Sequence, residues 1–272
     1  MMINKDLVTL NSSRHAFHLV DPSPAPLFAS LSAFSLTFGA VLYMHGYSYG
    51  FFLLFLGFFS ILYCMYIWWR DIVREGTFEG QHTFVVQEGI RLGIKLFIVS
   101  EVMFFFAFFW AFFDSSIKAS FTIGGVWSPE GLAILDPWAI PLINTIILLS
   151  SGATVTWAHY GILAGLKKTS QLALFLTIFL AIIFTALQIF EYFNSPFSIS
   201  DGIYGSSFFM ATGFHGFHVF VGTCFLTVCL FRLFLNHFTV EHHIGFEGAA
   251  WYWHFVDVVW LFLFVAIYWW GA

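Results

Sequence analysis

Seven long runs of apolar residues follow one another along the chain, each almost free of charge and each bounded by polar or Gly/Pro-rich stretches. They cover about Leu27 to His45, Phe51 to Trp69, Gly89 to Phe113, Trp138 to Leu163, Gln171 to Phe193, Ser206 to Leu233 and Gly248 to Trp270. A helix needs roughly 20 such residues to cross the hydrocarbon core of a bilayer. Inside that core only helices and closed barrels satisfy their own backbone polar groups. The reading is therefore an all-α, polytopic membrane protein with seven transmembrane helices. Composition points the same way: 9% of the residues are charged and the mean hydropathy is +0.85, whereas a soluble domain carries about 25% charged residues.

The remaining bulk features mainly exclude. A net charge of -5 without a basic tract gives nucleic acid nothing to bind. Cys64, Cys224 and Cys229 all sit inside apolar runs without a CxxC spacing, as small membrane-core residues do, and not as a disulfide or metal framework. The expected organisation is a polar leader over 1–26, a two-helix unit over 27–69, a polar connection over 70–88 and a five-helix bundle over 89–272. The leader has neither the apolar core of a secretory signal nor the arginine content of a transit peptide.

Charge asymmetry orients the spans. With seven crossings, the N-terminus shares a side with the connections that hold Lys5, Arg14, Arg70, Arg74, Arg91, Lys95, Lys167, Lys168 and Arg232, and only Lys118 falls opposite. Such a bias places the N-terminus on the cytoplasmic or matrix side and the C-terminus across the membrane. The far side carries Asp114, Glu130, Asp136 and Asp201.

One acid stands out within this frame. In the stretch FIVSEVMFFFAFFWAFF the single ionisable group is Glu101. Twelve residues into its span, at 1.5 Å per residue, it reaches roughly 18 Å deep, near the midplane. A charge there costs about 2.5–3.5 kcal/mol or more, which makes it a functional candidate, and desolvation favours its neutral form. The sixth span supplies partners in FMATGFHGFHVF, where His215 and His218 lie three apart and so on one helix face. Both fall near the depth of Glu101. Haem or copper ligation is the competing use of these imidazoles. It would require facing ligands on two helices, and His254 and His159 lie at other depths. The expectation is that Glu101 pairs with His215 or His218 and that no metal is held.

Two further constellations follow. WYWHFVDVVW places His254 and Asp257 three apart on the seventh span, a second buried polar pair in which a shared proton avoids an unpaired charge. WWRDIVREGTFEGQHT puts Trp68 and Trp69 at headgroup level and follows them with Arg70, Arg74, Glu75 and His82. With Arg232 at the inner end of the sixth span, Trp69, Arg70, Arg74, Glu75 and His82 form the expected phospholipid headgroup site.

Taken together, WWRDIVREGTFEGQHT, FIVSEVMFFFAFFWAFF, NTIILLSSGATVTWAHY, ISDGIYGSSFFMATGFHGFHV and HHIGFEGAAWYWHFVDVVWLFLFVAIYWWGA closely resemble the cytochrome c oxidase subunit III family, from about His15 to Ala272. The family's quinol-oxidase relatives commonly have five spans, so seven favour the cytochrome c branch. The resemblance implies two N-terminal helices splayed from the five-helix bundle by a lipid-filled cleft. It implies a subunit without a redox centre that supports subunit I, beside subunit II and accessory chains, with haem a, haem a3 and copper held by the partners. Glu101 matches the family's carbodiimide-reactive carboxylate, to which a supporting role in proton uptake is given. A mitochondrial inner membrane is the expected location, with a bacterial plasma membrane as the alternative. A secondary transporter is the reading from another class, but no internal repeat or pair of broken spans accompanies the midplane acid.

Overall fold

The computed structural model describes residues 15–119 and 124–271. Its helices are α1 (Ala25–Met44), α2 (Gly50–Thr77), α3 (Phe84–Ile117), α4 (Ile140–Leu163), α5 (Lys167–Phe193), α6 (Gly202–Phe234) and α7 (Ile244–Leu263), the last continued by a π-helical segment, Phe264–Trp269. All seven are long and apolar enough to cross a membrane, and no strand occurs among the described residues. The protein is a multi-pass, all-helical membrane protein. Lys5, Arg14 and part of the loop expected over 120–137 lie outside the described residues.

Helix ends depart from the apolar runs, for one physical reason. Hydropathy marks where hydrocarbon stops, whereas a helix continues into the headgroup layer. The polar connection expected over 70–88 therefore narrows to 78–83, because α2 carries on through Arg74 to Thr77 and α3 already starts at Phe84. Arg74 lies in the last turn of α2, where a cation complements the exposed carbonyl ends of the helix. Likewise α5, α6 and α7 each start about a turn before their apolar runs. Local chemistry sets the turns: α1 and α4 carry a proline in their first two positions, where no intrahelical donor is lost. Gly165, at φ +71°, turns the chain from α4 into α5, in the left-handed region that suits glycine.

The chain divides into two compact units, Met1–Ile90 and Arg91–Ala272. In the first, α1 and α2 lie against each other through glycine. A methyl placed on Gly57 would meet the backbone of Leu36, and one on Gly39 the backbone of Leu54. In lipid there is little hydrophobic drive between helices, so small residues that let backbones approach are what hold such a pair. Gly57→Leu is accordingly expected to separate α1 from α2 and to lower the amount of this chain in its membrane severalfold. Immunoblotting of the membrane fraction measures that, and undiminished levels would count against the close pairing.

The second unit is built around α7. Of its apolar window 67% is buried, against at most 39% for any other helix. Two of its indoles are deeply buried and satisfied: Trp253 Nε1 donates to Ser151 Oγ at 2.9 Å, and Trp260 Nε1 to Thr145 Oγ1 at 2.9 Å. Gly222 of α6 leaves room for the Trp253 ring, which an added methyl would meet at 2.9 Å. The bundle differs from a soluble domain at its outer surface, while its interior is an apolar core with polar side chains set into it. Buried positions include Asn144, Thr145, Ser151, Thr177, Gln188, Glu191 and Asp257, while Phe175, Phe179, Phe217, Phe220 and Phe262 are exposed on the outer faces. Most of these polar side chains bond inside, and apolar side chains face outward, as a lipid solvent demands.

Candidate functional site

Glu101 on α3 and His218 on α6 meet in the second unit: His218 Nε2 lies 2.8 Å from Glu101 Oε2. The other ring nitrogen fixes how the proton is held. His218 Nδ1 lies 2.7 Å from the carbonyl oxygen of Phe214. A carbonyl only accepts, so Nδ1 carries a hydrogen and Nε2 offers either a lone pair or, on a cationic ring, a second hydrogen. Two bare lone pairs would repel at 2.8 Å. One proton therefore sits between carboxyl and imidazole, and the pair is neutral overall wherever that proton rests.

Its surroundings are aromatic. Phe105 packs edge-on to the His218 ring at a centroid distance of 4.9 Å, and Tyr252 lies nearly parallel to it at 6.3 Å. The histidine side chain is 9% exposed and the glutamate 21%. The imidazole is thus sealed in the bundle while the acid looks partly outward.

The structure separates the two candidate histidines. His215 does not turn toward Glu101: its Nε2 donates to the carbonyl of Val256 at 3.2 Å, and its ring lies against Phe184 and Trp260. Three residues advance a helix by about 300°, which leaves side chains roughly 60° apart around the axis. That offset sends His218 toward α3 and His215 into the centre, against α7 and α5.

The second pair is looser than a hydrogen bond. His254 Nδ1 and Asp257 Oδ2 are 3.8 Å apart, beyond hydrogen-bond range. Thr156 spends its hydroxyl hydrogen on the Gly152 carbonyl at 2.9 Å, so it accepts from His254 Nε2 at 3.2 Å. Asp257 Oδ1 is buried without a hydrogen-bond partner. The Asp257 carboxylate occupies the space that a side chain on Gly152 would fill.

Of the expected headgroup residues, Trp69, Arg70, Arg74, Glu75 and His82 belong to the first unit and Arg232 to the second. Trp69 is 58% exposed, as an interfacial indole should be. Arg70 is engaged by its neighbour Asp71 at 2.7 Å. Glu75 faces His18 at 3.8 Å, and the His18 and His82 rings meet edge-on at 5.9 Å. In the second unit the Arg232 guanidinium stacks over Phe238 at 4.4 Å. Lys95 rests its ammonium 5.4 Å from the centre of the Trp251 ring, a cation–π contact that accommodates a charge near the start of an apolar run.

Sequence reasoning passed over one buried acid. Glu191 of α5 is 2% exposed, with Tyr268 Oη donating to its Oε1 at 2.6 Å and Gln188 Nε2 at 3.2 Å. Gln188 in turn accepts from Asn144 Nδ2 at 3.5 Å. The spacing of Gln188 and Glu191 on one helix face was the available signal.

The geometry thus gives an apolar-faced helical bundle in which one acid, Glu101, is paired with the imidazole of His218. Comparison with known proteins places it. A family model described as cytochrome c oxidase subunit III matches residues 15–272. Curated proteins named cytochrome c oxidase subunit 3 are similar over nearly their full length. That of Pylaiella littoralis is 65% identical over 95% of both chains. That of Marchantia polymorpha is 64% identical over 96% of this chain and 98% of its own, and that of Arabidopsis thaliana 63% over 97% and 99%. With a family match over nearly all of the sequence and relatives this similar throughout, the chain belongs to the cytochrome c oxidase subunit III family.

Proposed function

We propose that this chain serves its oxidase as a non-redox brace. It steadies the catalytic subunit I, helps to maintain proton uptake, and retains phospholipids at its inner surface, while haem a, haem a3 and copper are held by partner subunits. Subunit I is its main contact, with subunit II and accessory chains beside it. The membrane is the mitochondrial inner membrane, with the N-terminus in the matrix and the C-terminus in the intermembrane space, in keeping with the nine-to-one distribution of Lys and Arg.

The observation that carries this reading is the Glu101–His218 pair, bonded at 2.8 Å around one proton. A proton carrier must hand its proton on to a next group, whereas here the second imidazole nitrogen ends on the Phe214 carbonyl. The pair ties α3 to α6 at the depth where an unpaired acid is most costly. The other two imidazoles weighed as ligands, His215 buried and His254 with its side chain 45% exposed, support the same reading. His215 and His254 turn to different partners, Val256 and Thr156, so the three do not form a ligand set for haem or copper.

The test is removal of this chain from the purified oxidase. Haem and copper spectra should be unchanged and initial oxygen reduction close to normal. Activity should then decline during turnover, faster at high pH where protons are scarce. Altered haem spectra, or full activity sustained through prolonged turnover, would refute the reading.

A further inference from the structure

The end of α4 and the start of α7 bring together three groups that the bracing role does not use. His159 Nε2 lies 3.4 Å from His243 Nε2, and His243 Nε2 lies 3.5 Å from Glu247 Oε1. All three donor atoms are within 4.8 Å of one another. We propose that His159, His243 and Glu247 form a binding site for a divalent transition cation of the zinc class, and this departs from the sequence expectation that the chain holds no metal.

The distances match a coordination polyhedron. With metal–ligand bonds of about 2.0–2.1 Å, neighbouring ligands on a tetrahedral zinc are about 3.3–3.4 Å apart. The two shorter separations are already near that edge length, and binding draws in the third. Tautomer and orientation are prepared as well. His243 Nδ1 is 3.0 Å from the carbonyl oxygen of Thr239, so it carries the hydrogen and the Nε2 lone pair faces the cluster. A ligating imidazole is commonly oriented in this way through its second nitrogen. Glu247 is held by Arg91, whose Nε lies 2.8 Å from Oε2 and Nη2 3.1 Å from Oε1. That contact keeps it a carboxylate and leaves Oε1 a second lone pair for the metal.

Position favours a stable site too. His243 is 5% exposed, and it lies at the N-terminal boundary of α7, not in mid-membrane. Two imidazoles and one carboxylate suit zinc better than the hard cations, which prefer oxygen ligands alone. Three protein ligands leave the fourth position to water. Bound there, the cation joins the end of α4 to the start of α7 on one side of the membrane.

The experiment uses the native membrane complex, purified through this chain, equilibrated with chelator-buffered Zn2+ and assayed for bound zinc by mass spectrometry. The complex should hold one more zinc than the same complex carrying His159→Asn. Affinity at that site should fall by more than the roughly 10–100-fold typical of losing an outer hydrogen-bond partner. Glu247→Gln, which keeps an oxygen facing Arg91, should weaken it as well, while the neighbouring His242→Asn should not. X-ray absorption of the zinc lost in His159→Asn should show imidazole scattering with bonds of about 2.0–2.1 Å. Equal zinc content in wild type and both ligand variants, each shown to retain the full chain in the complex, would overturn the site. So would a loss in His242→Asn equal to that in His159→Asn.

Discussion

Replacing His218 with leucine is expected to loosen this chain from its complex by roughly 3 kcal/mol. That is the scale of an uncompensated acid at the bilayer centre and of a buried pair deprived of one partner. Glu101 would keep its position on α3 but lose its bond of 2.8 Å to the imidazole. The double variant Glu101→Leu/His218→Leu removes both polar groups, so it should recover most of the loss. A buried pair exchanged for apolar residues of similar volume is often neutral. The measurement is retention of this chain as the purified complex is heated in detergent, followed for the two single variants and the double. A double variant as labile as the sum of the singles would mean that the two side chains do not act as a pair.

How much of this was legible in the sequence depended on which physical constraint acted. The seven spans were legible because the bilayer imposes a fixed apolar length. Their ends were not, since helix α2 runs past Trp69 to Thr77 on residues that hydropathy scores as polar. Depth follows from residue count, and that was enough to bring the sixth span's histidines to Glu101. Which of them meets it depends on rotation about α6, set by packing against α7, and His215 proves to belong to Val256. The Glu191 network was hidden for another reason. Its principal partner, Tyr268, reaches inward from the π-helical segment Phe264–Trp269, where the usual 100° step per residue no longer assigns faces. His243 and Glu247 are close in sequence, but His159 joins them only through the packing of α4 on α7, which spacing alone does not encode.

The bracing role also fixes what Glu101→Gln should do. Glutamine keeps the length of the side chain and can donate its amide N–H to His218 Nε2, the position that the shared proton bridges in the native pair. His218 can then remain in its neutral tautomer, with Nδ1 donating to Phe214 O. The variant therefore loses the titratable proton while keeping the tie between α3 and α6. If the proton at Glu101 serves to neutralise an acid in hydrocarbon, its loss costs the enzyme little, because an amide needs no neutralising. Proton pumping per electron in reconstituted vesicles should be close to that of the unmodified oxidase, with oxygen reduction unchanged. The contrast with His218→Leu is what gives the experiment its force. That variant leaves the carboxyl in place and breaks the tie, so it should damage retention of the chain, whereas Glu101→Gln should spare it. Oxygen reduction that continued in Glu101→Gln while pumping was abolished would assign Glu101 to the pump itself, and the bracing account of the pair would fail.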